Sequence, residues 1–263
     1  MYIRNHNLVP TYDEDFEIEF RLTLSAKAFA GRQLKEYSLA DLKNLKPHEV
    51  TTSMACAGNR RRNTRKIFPS VKGVNWGVGA IGNNIFKGVT IRDLLLDSGF
   101  TEQELNSGMF KGKHLVATGL DTDFQGVPFS ISFEIERALD PLNEVILAYQ
   151  MNGKDIPYDH GYPLRLVAPG YIGVRNCKWV TKLEISDEEA DSHMQRRDYK
   201  YIKEEDWSKI NLKDYPAING NIPIAAIAFP DDNSTVKLAR DEKLTLKGYA
   251  TGDGSTGTYP KQV

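Results

Sequence analysis

Cysteine is scarce: Cys56 and Cys177 are the two thiols among 263 residues. Two cysteines cannot build a disulfide framework, and a reducing compartment suits them best. An excess of charge of either sign is also missing. With 34 basic side chains against 35 acidic ones, broad binding along a phosphate backbone is not expected, and nucleic acid is excluded as a partner class. No stretch approaches the roughly 20 apolar residues of a membrane span, so no membrane association is expected. The opening MYIRNHNLVP has no apolar run of the secretory-leader kind. Internal repeats and low-complexity tracts are lacking too, which sets aside solenoids and disordered arrays. What remains is an ordinary globular composition in a chain long enough for one large domain, or one domain with a smaller companion.

Several segments carry structural signals. FEIEFRLTL at 16–24 alternates apolar and polar residues, which predicts a half-buried strand. SLADLKNLK at 38–46 has helical spacing behind a candidate N-cap, Ser38, and VTIRDLLLDSG at 89–99 predicts a second short helix stopped by Gly99. HLVATGL (114–120), EVILAYQM (144–151), PLRLVAP (163–169) and KWVTKLEIS (178–186) read as strands between turn residues. Regular strand–helix alternation is absent, so the expected class is α+β on mixed or antiparallel sheets. From Tyr215 the composition shifts: YPAINGNIPIAAIAFPDD carries three prolines, and KLTLKGYATGDGSTGTYPKQV supplies one strand and a glycine-rich end. The expected division is therefore 1–214 and 215–263, the second being the incomplete beginning of another β-rich unit.

TTSMACAGNRRRNTRK at 51–66 is the most informative stretch. Gly58 and Asn59 allow a tight turn after Cys56, and Arg60, Arg61 and Arg62 supply positive potential; both favour a thiolate. The residues alone leave alternatives open. Cys56 is either a small packed side chain before a solvated basic run, or a thiolate offered to a metal or an anion. No second Cys or His lies within zinc-ligand spacing. A nucleophilic Cys–His pair would need His6, His48, His114, His160 or His193 to be folded against it.

CAGNRR at 56–61 resembles the signature of the molybdenum-cofactor domain in the sulfite oxidase and assimilatory nitrate reductase family. Further segments resemble that family in the same order: YIRNH (2–6), VNWGVGAIGNNIFKGVTIRDLL (74–95), GLDTD (119–123), NGKDIPYDHGYPLRLVAPGYIGVRNCKWV (152–180) and SHMQRRDYK (192–200). The likeness covers roughly 1–230. It departs at Phe86, where tryptophan is usual, at Met194, where an aromatic is common, and by an extra residue between Cys56 and Trp76.

The resemblance implies a mixed-sheet, sulfite-oxidase-like molybdopterin-binding fold with the start of an Ig-like dimerisation domain at the C-terminus. It implies an oxidoreductase carrying a molybdenum–molybdopterin cofactor, with no haem in this chain. Cys56 would be the metal ligand, a soft thiolate suited to a metal already held by dithiolene sulfurs. Tyr2, Ile3, Arg4, Asn5, His6, Asp121, His160, Arg165, Asn176, Cys177 and Lys178 would hold the cofactor, Cys177 through its backbone. Arg4 and Arg61 would bind the oxyanion beside Trp76 and Tyr199, while Arg60 and Arg62 serve structure or solvent.

The implied reaction is oxidation of sulfite to sulfate by oxygen-atom transfer at a cysteine-ligated Mo-oxo centre, a choice resting on the D-Y-K segment. Nitrate reduction on the same fold and a non-catalytic cofactor-binding relative are the alternatives. Implied partners are a small anion, a separate electron acceptor (a cytochrome or oxygen), and a second copy if the C-terminal unit is complete. Without it, dimerisation is expected to be weak and the strand edge near Lys243–Ala250 exposed. Cytoplasm or an organelle lumen, mitochondrial or peroxisomal, is the expected location, with no targeting signal visible.

Overall fold

A computed structural model describes residues 2–13, 16–29, 32, 34–202, 208 and 210–252. Its strands are β1 (Leu22–Ser25), β2 (Glu36–Tyr37), β3 (His48–Ala55), β4 (Ile81–Thr90), β5 (His114–Thr122), β6 (Pro128–Glu134), β7 (Ile146–Met151), β8 (Lys154–Asp155), β9 (Arg165–Val167), β10 (Val180–Ser186), β11 (Ile224–Phe229) and β12 (Lys247–Thr251). Its short helices are α1 (Phe16–Glu19), α2 (Leu39–Asn44), α3 (Arg61–Ile67), α4 (Ile91–Asp97), α5 (Glu102–Asn106) and α6 (Ile135–Leu139).

The first sheet runs β2-β1-β10-β5-β6. Among the described residues, β1 and β10 are its one parallel pair, with Thr23 opposite Lys182. The second sheet runs β3-β4-β7, and the far edge of β7 is shared by β8 and β9. Strand β7 explains why its sequence is nearly all apolar. Leu147 and Tyr149 enter the large core, whereas Ile146 and Ala148 enter a smaller one with Val50, Met54, Phe86, Ile156 and Val167. A strand buried on both faces shows no polar alternation. Gly88 lets β4 approach β7 closely, since a Cβ there would lie 2.1 Å from the Leu147 carbonyl oxygen.

The helix expectations hold at their caps. Ser38 and Asp41 form a reciprocal capping box at α2, Thr90 Oγ1 accepts from the Asp93 N–H at α4, and Gly99 follows α4 at φ +104°. Residues 16–24 differ from expectation. Phe16–Glu19 make a helical turn, closed by the Phe20 N–H donating to Phe16 O at 2.8 Å, and only Leu22–Ser25 pair as a strand. Phe16 and Phe20 are four residues apart, so helical spacing joins their rings (5.8 Å) and leaves Phe16 against Tyr12 at 4.0 Å.

Beyond Tyr215, the described residues form one antiparallel pair, β11–β12, and no third strand joins it. Among the described residues, no helix is long and apolar enough to cross a membrane.

Candidate functional site

Chain crossings from seven places converge on one cleft that opens at its mouth. The extended segment 2–6 forms one wall. The end of β3 and the turn beyond it bring Met54, Cys56 and Ala57; Asp121 comes from β5, Phe129 from β6, Arg165 from β9, and Tyr199 from the end of the 192–200 segment. The loop between β9 and β10 contributes Gly173, Val174, Asn176, Lys178 and Trp179.

Cys56 stands where the β3–β4 ladder gives way to a turn. Its N–H still donates to Ala80 O at 2.9 Å, and the Asn59 N–H donates back to Cys56 O at 2.9 Å. The Gly58 N–H points at Sγ from 3.4 Å, and Sγ otherwise faces the cleft. Arg60 follows at φ +64° and starts α3. Arg61 lies in a slot that two glycines make possible: a Cβ on Gly58 would sit 2.5 Å from its guanidinium, and one on Gly73 would sit 2.6 Å away. Its Nη1 donates to Val74 O at 2.8 Å.

Cations crowd the cleft. Lys178 Nζ donates to Asp159 O at 2.6 Å and to Asn5 Oδ1. Arg165 is fully buried, donating to His160 O at 2.8 Å and Asn176 O at 3.3 Å, with the Phe86 ring 5.4 Å beneath its guanidinium. Burial, then the Arg165 charge, pulls Lys178 down to about 7. Burial, with Arg4 and Lys178, holds His6 down to about 4, so its imidazole is neutral at physiological pH. Its Nε2 meets the Tyr199 hydroxyl at 2.8 Å and its ring stacks on Phe129 at 5.8 Å. Burial and the Cys56 charge push Tyr199 up to about 12, while Arg4 and Arg61 oppose them. The phenol therefore keeps its proton and stays a donor.

Four polar atoms around the cleft are buried without a hydrogen-bond partner: Asp121 Oδ1, His160 Nδ1, Arg165 Nε and Trp76 Nε1. Burial alone raises Asp121 to about 6. Such atoms are costly in a folded chain unless something else meets them.

Among the expected site residues, Tyr2, Arg4, Asn5, His6, Cys56, Asp121, Arg165, Asn176, Lys178 and Tyr199 line the cleft. Arg61, Ile3, Trp76, His160 and Cys177 do not line it. Arg61 lies in the Gly58–Gly73 slot with Nη1 on Val74 O, outside the lining, though its charge still acts on Tyr199. Ile3 is half exposed, between Tyr2 and Arg4, which line the cleft. Trp76 backs Tyr2 edge-on, with ring centroids 6.1 Å apart. His160 is buried below Arg165. Cys177 is packed in the large core, where burial pushes its thiol well up. Asn176 holds loop backbone, accepting from the Ala168 N–H and donating to Tyr171 O and Ile172 O. Met54, Ala57, Phe129, Gly173, Val174 and Trp179 complete the lining and were not expected from the sequence. Trp179 adjoins the expected Lys178 and is held by Nε1 donating to Tyr158 O at 2.9 Å; only its proximity to the 176–178 motif could have marked it.

The family model for the oxidoreductase molybdopterin-binding domain matches residues 6–194. The chain belongs to this family. It is 37% identical over 256 residues to the mitochondrial sulfite oxidase of Drosophila melanogaster, covering 96% of this chain and 42% of that protein. Similarity to the NADPH nitrate reductase of Mycosarcoma maydis is lower, 31% over 275 residues, with 96% of this chain and 27% of that protein covered. The chain spans about half the length of the curated relatives it matches. Among solved structures, the sulfane dehydrogenase SoxCD of Paracoccus pantotrophus superposes with a TM-score of 0.71 at 23% identity, over 96% of this chain and 57% of that one. That likeness carries the fold alone, and the fold is the mixed-sheet α+β class expected. In molybdopterin-binding family terms, Tyr2, Arg4 and Tyr199 lie outside the matched span, yet the cleft includes them.

Proposed function

We propose that this chain is the cofactor-carrying part of a molybdenum oxidoreductase that converts sulfite and water to sulfate, two electrons and two protons. The observation that carries the reading is the convergence of a cleft-facing thiol, Cys56, with Arg4, Lys178 and the Tyr199–His6 pair on one wall system.

The residues fit the cofactor chemically. Asp121 Oδ1 lacks a donor and would accept from pterin N–H groups; Arg165 Nε and Lys178 would meet the anionic tail, the buried cations being short of negative charge. Cys56 offers the soft donor. Bound there, the cofactor supplies the two-electron redox centre and the transferable oxygen. The protein's part is to bind and orient. Arg4 and Arg61 hold the oxyanion, and at an effective dielectric near 20 each such charge contributes about 4 kcal/mol at 4 Å before desolvation is subtracted. Tyr199 donates a hydrogen bond to a substrate oxygen or to His6, whose neutral Nε2 accepts it while the phenol keeps its proton. The electrons leave to a separate acceptor, a cytochrome or oxygen. An organellar location, as in the name of the Drosophila relative, belongs to the same proposal.

The experiment is a pair of steady-state assays on holoprotein from a host that makes the cofactor. Sulfite should be oxidised and nitrate should not be reduced, and Tyr199→Phe should lower sulfite turnover by about 10²-fold. Nitrate reduction without sulfite oxidation would replace this reading with its nearest rival.

A further inference from the structure

The turn that presents Cys56 is also tied to a side chain 190 residues away in sequence. Tyr249, on β12, accepts a hydrogen bond from Asn59 Nδ2 at 2.6 Å and donates one to Val78 O at 2.7 Å. The other half of the Asn59 amide, Oδ1, accepts from the Ala80 N–H at 3.1 Å. Ala80 O in turn takes the Cys56 N–H, and the Asn59 N–H returns to Cys56 O. One phenolic hydroxyl thus closes a ring of hydrogen bonds through the cysteine turn and the 78–80 segment.

A second link strengthens the placement: Arg60 Nη1 donates to Ala225 O at 2.9 Å on β11. The strands must lie close to deliver both contacts. Gly248, next to Tyr249, permits this, since a Cβ there would fall 2.3 Å from Ala226 O. Much of the β11–β12 surface is otherwise exposed, so ordinary core burial does not account for a half-buried tyrosine aimed at the Cys56 turn.

We propose that Tyr249 is a positioning residue for Cys56, and that the β11–β12 pair is a brace of the cysteine turn rather than an appendage beyond the cleft. The hydroxyl fixes the Asn59 amide, the amide fixes the 78–80 segment, and that segment fixes the direction of Sγ. The consequence for metal retention rests on Cys56 being the ligand; the positioning itself does not.

The test uses the full chain without cofactor and iodoacetamide as the probe. Cys177 is buried, so alkylation reports Cys56. Tyr249→Phe keeps the ring and deletes only the hydroxyl, and it should speed Cys56 alkylation by about three- to tenfold, the population change that loss of one or two hydrogen bonds permits. Tyr37→Phe, which deletes a hydroxyl bonded to Asp97 at 2.7 Å beside the other sheet, controls for general loosening and should leave the rate within about twofold. Unchanged or slower alkylation in Tyr249→Phe, or an equal rise in Tyr37→Phe, overturns the proposal. In holoprotein, Tyr249→Phe should also release molybdenum several-fold faster on dialysis. Faster alkylation without faster release would keep the positioning role and count against Cys56 as ligand.

Discussion

Lys178 is held by three backbone and amide oxygens from two segments, yet its ammonium is weakened by burial and by Arg165 and Arg4. The folded side chain titrates near 7 and the free one near 10.5. The folded state therefore carries a penalty that is complete below pH 7 and disappears as pH rises to 10.5. Lys178→Met should raise the melting midpoint of the cofactor-free chain by about 3–6 °C near neutrality, and progressively less toward pH 10. The same variant should retain cofactor poorly. Scanning calorimetry at several pH values checks the first part; a stability gain independent of pH contradicts it. Gly58 allows a second residue-scale prediction. Its Cβ would meet the movable end of Arg61 rather than backbone, so Gly58→Ala should fold while displacing that guanidinium. The proposed sulfite reaction should then show KM raised about tenfold or more with a smaller change in kcat.

At the scale of elements, Gly88 is less forgiving. An added methyl group would strike the Leu147 carbonyl of the neighbouring strand, where neither β4 nor β7 can yield without breaking the two cores they separate. Gly88→Ala should cost about 3 kcal/mol or more, measured by denaturant unfolding; a cost under about 1 kcal/mol would show that the sheet adjusts. Legibility also divides at this scale. Helices α2 and α4 were readable because their caps are local chemistry, and β5, β7, β9 and β10 because apolar runs end at turn residues. The α1 turn was not, since Phe16, Ile18 and Phe20 satisfy a period of two while Phe16 and Phe20 also satisfy a helical turn. Strand β6 passed unnoticed although Phe129, Ile131 and Phe133 alternate inward along it.

Across the whole molecule, the cleft is assembled from strands, loops and the 2–6 segment, which local pattern cannot bring together. Cys56, Arg165, Lys178 and Tyr199 could be picked from the sequence because they sit in motifs with their own order and spacing. Phe129, Val174 and Met54 could not, since an apolar residue facing a cleft reads like any core residue until the sheets are placed. The same holds for Tyr249: nothing in KGYATG indicates that its hydroxyl closes the turn around a cysteine far upstream. The central claim is that this cleft binds a molybdenum cofactor through Cys56. Elemental analysis of the purified chain and of Cys56→Ala, both from a cofactor-producing host, tests it most directly. The account predicts molybdenum in about one-to-one ratio with the parent chain and its loss from the variant; a parent chain free of molybdenum, or a variant that holds it equally well, would contradict the account.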